Sequence, residues 1–238
     1  MIYLAGDTHG TFDLGKLIRF FECAEELHLT KNDYVIILGD CGVVWDGSVG
    51  DEKVKHALQK LPVTVLFIDG NHENFDLLNS YPVEEWHGGK VHIVASDIIH
   101  LMRGQLYNIE DKTFFTFGGA FSVDKALRRE GIDWWPEEIP TNDEYKEGWR
   151  NLEDVDLCVD FILTHTAPME VVREMGYDED PEEEQELRRF LQKIVDNVSF
   201  DAWFFGHFHE DVNVDDTFIG LYDNVICLDE MDWDRLGY

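Results

Sequence analysis

The sequence predicts an α/β fold, a four-layer αββα sandwich in which two mixed β-sheets are flanked by helices. Three observations point to it. Short β-branched runs alternate with amphipathic stretches over the first third of the chain, as in strand–helix–strand units with parallel pairing. The middle third then turns to closely spaced short strands. Several apolar runs also stop at a glycine followed by a polar residue able to bind a metal, which is how sites are built at the edge of such sheets. With 238 residues and 44% hydrophobic composition, one domain spanning 1–238 is expected.

In order, Ile2–Ala5 reads as a buried strand ending at Gly6, and Leu14, Leu17, Ile18 and Phe21 form the stripe of a helix. Tyr34–Leu38 is a second strand and Asp51–Lys60 a short charged helix. Val63–Ile68 is a third strand. Val91–Val94, Ile98–Met102, Gln105–Ile109 and Thr113–Phe117 read as an antiparallel meander. From Gly118 to about Arg150 a Trp-, Pro- and Glu-rich segment reads as an irregular excursion or lid (118–150), because long irregular loops in compact domains are usually functional. Phe161–Leu163 restores the sheet. A helix is expected from Pro181 to about Asn197, with Asp180 as N-cap and Glu182, Glu183 and Glu184 at its positive end. The acidic run 178–186 thus reads as a helix start and solvated face. Ala202–Phe205 is another strand, and Phe218–Leu228 closes the sheet.

Charge excludes some functions. Against 50 Asp and Glu stand 19 Lys and Arg, a net −31, which repels polyanions and makes long nucleic acid an unsuitable partner. No apolar run reaches the ~20 residues needed to span a bilayer, so no membrane role is expected. Cys23, Cys41, Cys158 and Cys227 form no CxxC pair, so neither a disulfide framework nor thiolate zinc is expected. The opening MIYLAGDTHG lacks the basic region of a signal peptide, and a cytoplasmic location is the expectation.

The strands end in GDTHG (6–10), GDCG (39–42), GNHE (70–73), THTAP (164–168) and GHFH (206–209). Together these motifs offer Asp7, Asp40, Asn71, His9, His165, His207 and His209. The set mixes oxygen and imidazole without thiolate. It suits Mn²⁺, Fe, Zn²⁺, Co²⁺ or Ni²⁺ better than Ca²⁺, and it has more members than one tetrahedral site needs. A lone DxH or HxH is more often a hydrogen-bonded loop pair. Five such motifs, each closing a strand, are not explained by packing.

As an ordered set, D7-T-H9, G39-D40, G70-N71-H72-E73, H165 and G206-H207-F208-H209 resemble the calcineurin-like metallophosphoesterases. The resemblance implies Asp7, His9 and His209 on one metal, Asn71, His165 and His207 on the other, and Asp40 bridging. It implies His72 as a catalytic histidine near the leaving group. Two divalent ions, Mn²⁺ foremost, about 3.5–4 Å apart would share a bridging hydroxide and offset phosphoryl charge. His72 as imidazolium would protonate the leaving group, and the flanking Asp69 and Glu73 either orient it or raise its pKa, or simply face solvent. Thr8, Cys41 and Thr166 sit beside ligands as candidate supporting donors.

The expected activity is hydrolysis of phosphomonoesters, with a phosphoprotein or a small phosphorylated metabolite as substrate. The alternatives are a phosphodiesterase acting on cyclic nucleotides or short nucleic-acid ends, and an inactive protein-binding scaffold. The phosphoprotein phosphatase pattern GDxxDRG is absent: Val43 and Val44 stand where it has Asp and Arg. Arg128 and Arg129, from the excursion, are candidate phosphate-binding replacements, with Trp134 or Trp135 forming a wall. A solvated helix face with the tryptophans in the core is the plainer reading. Trp45, just past Asp40, could line the pocket, with core the plainer reading, and His28, His56, His87, His92 and His100 read as structural or surface residues.

Overall fold

The computed structural model describes residues 1–177 and 181–231. Its strands are β1 (Ile2–Ala5), β2 (Tyr34–Ile37), β3 (Thr64–Phe67), β4 (Val83–Trp86), β5 (Gly89–Ala95), β6 (Ile98–Leu101), β7 (Gln105–Ile109), β8 (Lys112–Phe117), β9 (Phe161–Thr164), β10 (Ala202–Phe205), β11 (Val212–Val214), β12 (Phe218–Gly220) and β13 (Val225–Cys227). Its helices are α1 (Gly15–Cys23), α2 (Val49–Gln59), α3 (Phe75–Leu78), α4 (Asn142–Glu153), α5 (Met169–Glu174) and α6 (Gln185–Asn197). One sheet runs β13-β1-β2-β3-β6-β5-β4 and the other β11-β12-β10-β9-β8-β7. Among the described residues no helix is long and apolar enough to cross a membrane.

Strand alternation builds the layers. Ile2, Leu4, Ile36, Leu38, Leu66 and Ile68 meet Phe114, Leu163 and Phe204 between the sheets. Tyr3, Ala5, Val35, Ile37, Val65 and Phe67 turn the other way, onto Leu17 and Phe21 of α1 and Val54 and Leu58 of α2. Phe115, Ile162, Trp203 and Phe205 pack under Leu152 of α4, Val172 of α5 and Leu187 and Leu191 of α6. The expected four layers are thus present.

Four expectations are corrected. The meander is two hairpins in different sheets, because β6 pairs parallel with β3 and the chain then crosses to β7 in the other sheet. All four β6 residues are buried, which suits a central strand covered on both faces. Phe218–Leu228 likewise divides, β12 joining β10 and β13 joining β1. The last long helix begins at Gln185, not Pro181: residues 181–184 form a turn in which the Glu184 N–H donates to the Pro181 carbonyl at 3.0 Å. Asp180 lies outside the described residues. The excursion is partly regular, since α4 starts at a capping box between Thr141 and Glu144.

β1, β2 and β3 run parallel in one sheet and β9 and β10 parallel in the other. Their C-terminal ends therefore gather at one edge of the sandwich, where the five motifs lie.

Candidate metal centre

All seven candidate donors converge at that edge. Asp7, Asp40, Asn71 and His165 are buried, and His209 is exposed. Ligand atoms of Asp7, His9 and His209 lie within 4.8 Å of one another, as do those of Asp7, Asp40 and His165. Asn71 Oδ1 is 3.1 Å from His165 Nε2 and 3.0 Å from His207 Nδ1. Asp40 Oδ2 stands between the sets, 3.3 Å from His9 Nε2 and 3.5 Å from His165 Nε2. Its other oxygen accepts the His72 backbone N–H at 2.7 Å.

The backbone is shaped for this. His9, Asp40, His207 and His209 all have positive φ, at 42°, 49°, 68° and 52°, a region that side chains other than Gly seldom occupy and that gathers at functional sites. Glycine makes room across motifs as well as within them. A Cβ on Gly70 would overlap the Asp40 carboxylate, and one on Gly206 would overlap that of Asp7. Each glycine thus admits a donor from a neighbouring strand.

The electrostatics suit a cation. Two buried carboxylates face one another across His165. Burial alone would drive its imidazole toward neutrality, but Asp40 and Asp7 raise it to about 10. Burial and His165 together hold His207 down at about 3. Asp40 is kept well below the carboxylate range despite burial, chiefly by His165 and His9. Asp7 Oδ2 is buried without a hydrogen-bond partner, although His209 Nε2 stands 3.1 Å away. A buried carboxylate oxygen is normally satisfied, so this orphan facing imidazole nitrogens fits divalent ions in the set.

His72 lines the cleft beside these residues, its ring 5.7 Å from that of His9. Burial lowers its pKa, Asp40 opposes this, and Arg128 and His9 reinforce it. The free protein therefore disfavours the imidazolium expected from sequence. Asp69 and Glu73 do not orient the ring. Asp69 turns to Arg103 (2.7 Å) and His100 (3.2 Å), which hold it at about 2 against its burial. Glu73 accepts the Cys41 N–H at 2.9 Å and is itself pushed well up by burial. Thr8 donates through its hydroxyl to the Cys41 carbonyl at 2.9 Å and through its N–H to the Asp40 carbonyl at 3.2 Å, knitting the first two motifs together.

The excursion reaches the site, but by one arginine. Arg128 Nη2 lies 3.5 Å from His72 Nε2, and Asp124 grips the same guanidinium at 2.6 and 2.7 Å. Arg129 is exposed and reaches none of the seven donors. Trp134 and Trp135 are buried. Trp45 lines the cleft half-buried instead of joining the core, with Trp135 edge-on at 5.8 Å.

Three contributors were not singled out from sequence. Ser122 accepts from Asn71 Nδ2 at 3.2 Å and donates to Glu138 at 2.6 Å, which turns the Asn71 carbonyl oxygen toward the two imidazoles. Asp13 takes His9 Nδ1 at 2.9 Å, leaving Nε2 toward Asp40. Its i,i+4 spacing from His9 was the available signal. Lys16 is buried with its ammonium on the Asp7 carbonyl at 2.6 Å, and nothing in its sequence context marks it.

A model of the family described as calcineurin-like phosphoesterase matches residues 1–211. No curated protein gives a significant sequence match. Among solved structures, a protein described as a candidate 5′-nucleotidase from Staphylococcus aureus, in complex with alpha-ketoglutarate, is 15% identical with a TM-score of 0.49. The match covers 94% of this chain and 49% of that one, so this chain spans about half its length. Phosphopantetheinyl hydrolase from Mycobacterium tuberculosis is 16% identical with a TM-score of 0.43, over 93% of this chain and 89% of that one.

Proposed function

The chain belongs to the calcineurin-like phosphoesterase family and is a metal-dependent phosphoesterase, and on that premise we propose that it hydrolyses phosphomonoesters of small molecules. The observation that carries the proposal is the convergence of seven oxygen and imidazole donors from five strand-end loops around the buried carboxylates of Asp7 and Asp40. We assign Asp7, His9 and His209 to one divalent ion, Asn71, His165 and His207 to the other, and Asp40 to both. Mn²⁺ comes first among the metals that the donor set suits. Such ions supply Lewis acidity toward phosphoryl oxygens and a nucleophilic hydroxide at neutral pH.

The chain's own residues do the rest. Asp40 fixes the His72 backbone through one oxygen and faces both donor sets through the other. Arg128 places a guanidinium next to His72, where a phosphoryl oxygen would take the N–H groups that Asp124 and the Asp133 carbonyl leave unused. Burial is the main cause of the low His72 pKa, with Arg128 and His9 adding to it; a bound dianion would oppose both and favour the protonated ring, which would then donate to the departing alkoxide. Four free cysteines agree with a reducing cytoplasm.

The test is hydrolysis of p-nitrophenyl phosphate and bis-p-nitrophenyl phosphate after chelation and Mn²⁺ add-back, with Asp40→Asn alongside. Metal-dependent turnover favouring the monoester, lost in Asp40→Asn, is expected. A clear preference for the diester would replace monoesterase with diesterase. Silence on both with metal bound would withdraw the mechanism.

A further inference from the structure

A cleft of about 670 Å³ opens from the candidate centre, a volume suited to a small organic ligand. His9, His72, His209 and Arg128 line it, together with Phe12 and Trp45. From this lining we propose that the enzyme selects phosphomonoesters whose alcohol portion is uncharged and carries an aromatic ring. The inference rests on the phosphomonoesterase reading above.

The first argument is apolar surface. Phe12 is 87% exposed, although large aromatic rings are normally well buried. It is also fixed close to the chemistry: its N–H donates to the His9 carbonyl at 3.2 Å, so one tight turn carries both the metal donor and the ring. Trp45 is held from two sides. Its backbone N–H donates to Asp51 at 2.8 Å, and Trp135, anchored on Asp76 at 2.9 Å, braces its indole edge-on. The Trp45 indole, held in place in the free protein, binds another ring at little ordering cost, and Phe12 offers a second apolar face beside the metal donor.

The second argument is charge. Asp13, Asp46 and Asp51 also line the cleft. Each is already engaged: Asp13 with His9, Asp46 with the Ser48 N–H at 2.9 Å, and Asp51 with three backbone N–H groups at 2.8–3.1 Å. Their charges remain. Arg128 is the single Lys or Arg among the lining residues, and it already faces Asp124. Positive charge is thus confined to the end that receives the phosphoryl group. A second phosphate or a carboxylate on the substrate would lie against three aspartates, whereas a neutral body meets only their engaged faces.

Benzyl phosphate, glycerol 3-phosphate and 3-phosphoglycerate test this on the metal-loaded protein. All three are primary alkyl esters, so their intrinsic reactivities are matched. The expected order of kcat/KM is benzyl phosphate, then glycerol 3-phosphate, then 3-phosphoglycerate, spanning at least about a hundredfold. Phe12→Ala should raise KM for benzyl phosphate about tenfold more than for glycerol 3-phosphate, as expected for a lost ring–ring contact. Asp46→Asn keeps the cap on Ser48 but removes a charge, and should improve 3-phosphoglycerate severalfold over the other two. Metal-dependent turnover with 3-phosphoglycerate equal to or better than benzyl phosphate would overturn the inference and leave the phosphoesterase reading standing. So would a Phe12→Ala effect equal on all three esters. No turnover on any ester would remove both.

Discussion

Replacing Ser122 with Ala should weaken metal binding without touching a metal donor. The hydroxyl, 1% exposed, accepts from Asn71 Nδ2 at 3.2 Å and donates to Glu138 Oε2 at 2.6 Å, while the Ser122 N–H donates to Glu138 Oε1 at 3.1 Å. Burial pushes the Glu138 carboxyl up and the Ser122 bonds oppose it. Two losses follow. One buried carboxylate oxygen loses its partner, which costs about 1–3 kcal/mol and lowers the melting temperature by roughly 2–10 °C for a chain of this size. Asn71 also loses the bond that turns its carbonyl oxygen toward His165 and His207. Removing an outer partner of this kind lowers metal affinity by about 10–100-fold. Calorimetric titration of metal-free protein with Mn²⁺ separates the two effects: affinity at one of two sites should fall, and Ser122→Thr, which restores a hydroxyl, should recover most of it. A lower melting temperature with wild-type Mn²⁺ affinity and stoichiometry would refute the positioning role and leave Ser122 a purely structural residue.

His72→Ala should lower kcat by roughly 10²–10⁴ with KM within about twofold, measured on an alkyl monoester whose leaving group needs a proton; an unchanged kcat would remove the acid role. Chelation should lower the melting temperature, and Mn²⁺ at 100 times its Kd should restore about 2.7 kcal/mol of stability. A melting curve indifferent to metal would contradict the assignment of Asp7 and Asp40. For pH, burial and the neighbouring His100 hold His92 at about 4 from an ordinary 6.5. The native state refuses a proton that the unfolded chain accepts, so stability is complete above pH 6.5 and falls between 6.5 and 4. The loss from this residue is on the order of 3 kcal/mol over that window. In urea unfolding at pH 7 and pH 4.5, His92→Gln should show a smaller drop than wild type, and equal drops would refute the assignment.

The seven candidate donors were legible because a metal site would impose residue identity. Asp7, His9, Asp40, Asn71 and the three later histidines each follow an apolar strand, and no packing requirement puts such residues there. The layers were legible for a related reason: strands buried on both faces read as apolar runs, as β1, β2, β3 and β6 do. What failed to show was anything set by pairing across long stretches of sequence. β4, written VEEW with three exposed residues, carries no strand periodicity and exists because β5 lies beside it. The assignment of β6 and β7 to different sheets is likewise a tertiary outcome. Trp45 was misplaced because a tryptophan beside a buried valine pair, Val43 and Val44, looks like core until the cleft is seen to open there.

The excursion shows why composition misleads about lids. Its Trp-, Pro- and Glu-rich sequence suggests a loose cover, yet it is fastened at several points, each to a residue next to the candidate chemistry. Arg103 is itself paired with Asp69, two residues before Asn71, and donates to the Glu137 carbonyl at 2.8 Å. Ser122 holds Asn71 directly. Trp135 reaches Asp76, four residues past His72, and leans on Trp45. A segment tied to the third motif at Asp69, Asn71 and Asp76 cannot lift away without disturbing a proposed metal donor and one wall of the cleft. The stretch between Val123 and Asp133, largely exposed and carrying the half-buried Arg128, stands on that fastened base. Substrate exchange is therefore expected to involve this tip and not the segment as a whole. The proposed metal donor Asn71 and the proposed phosphate contact Arg128 then share one support, since Ser122 and Glu138 brace Asn71 while the same stretch of chain carries Arg128 to His72.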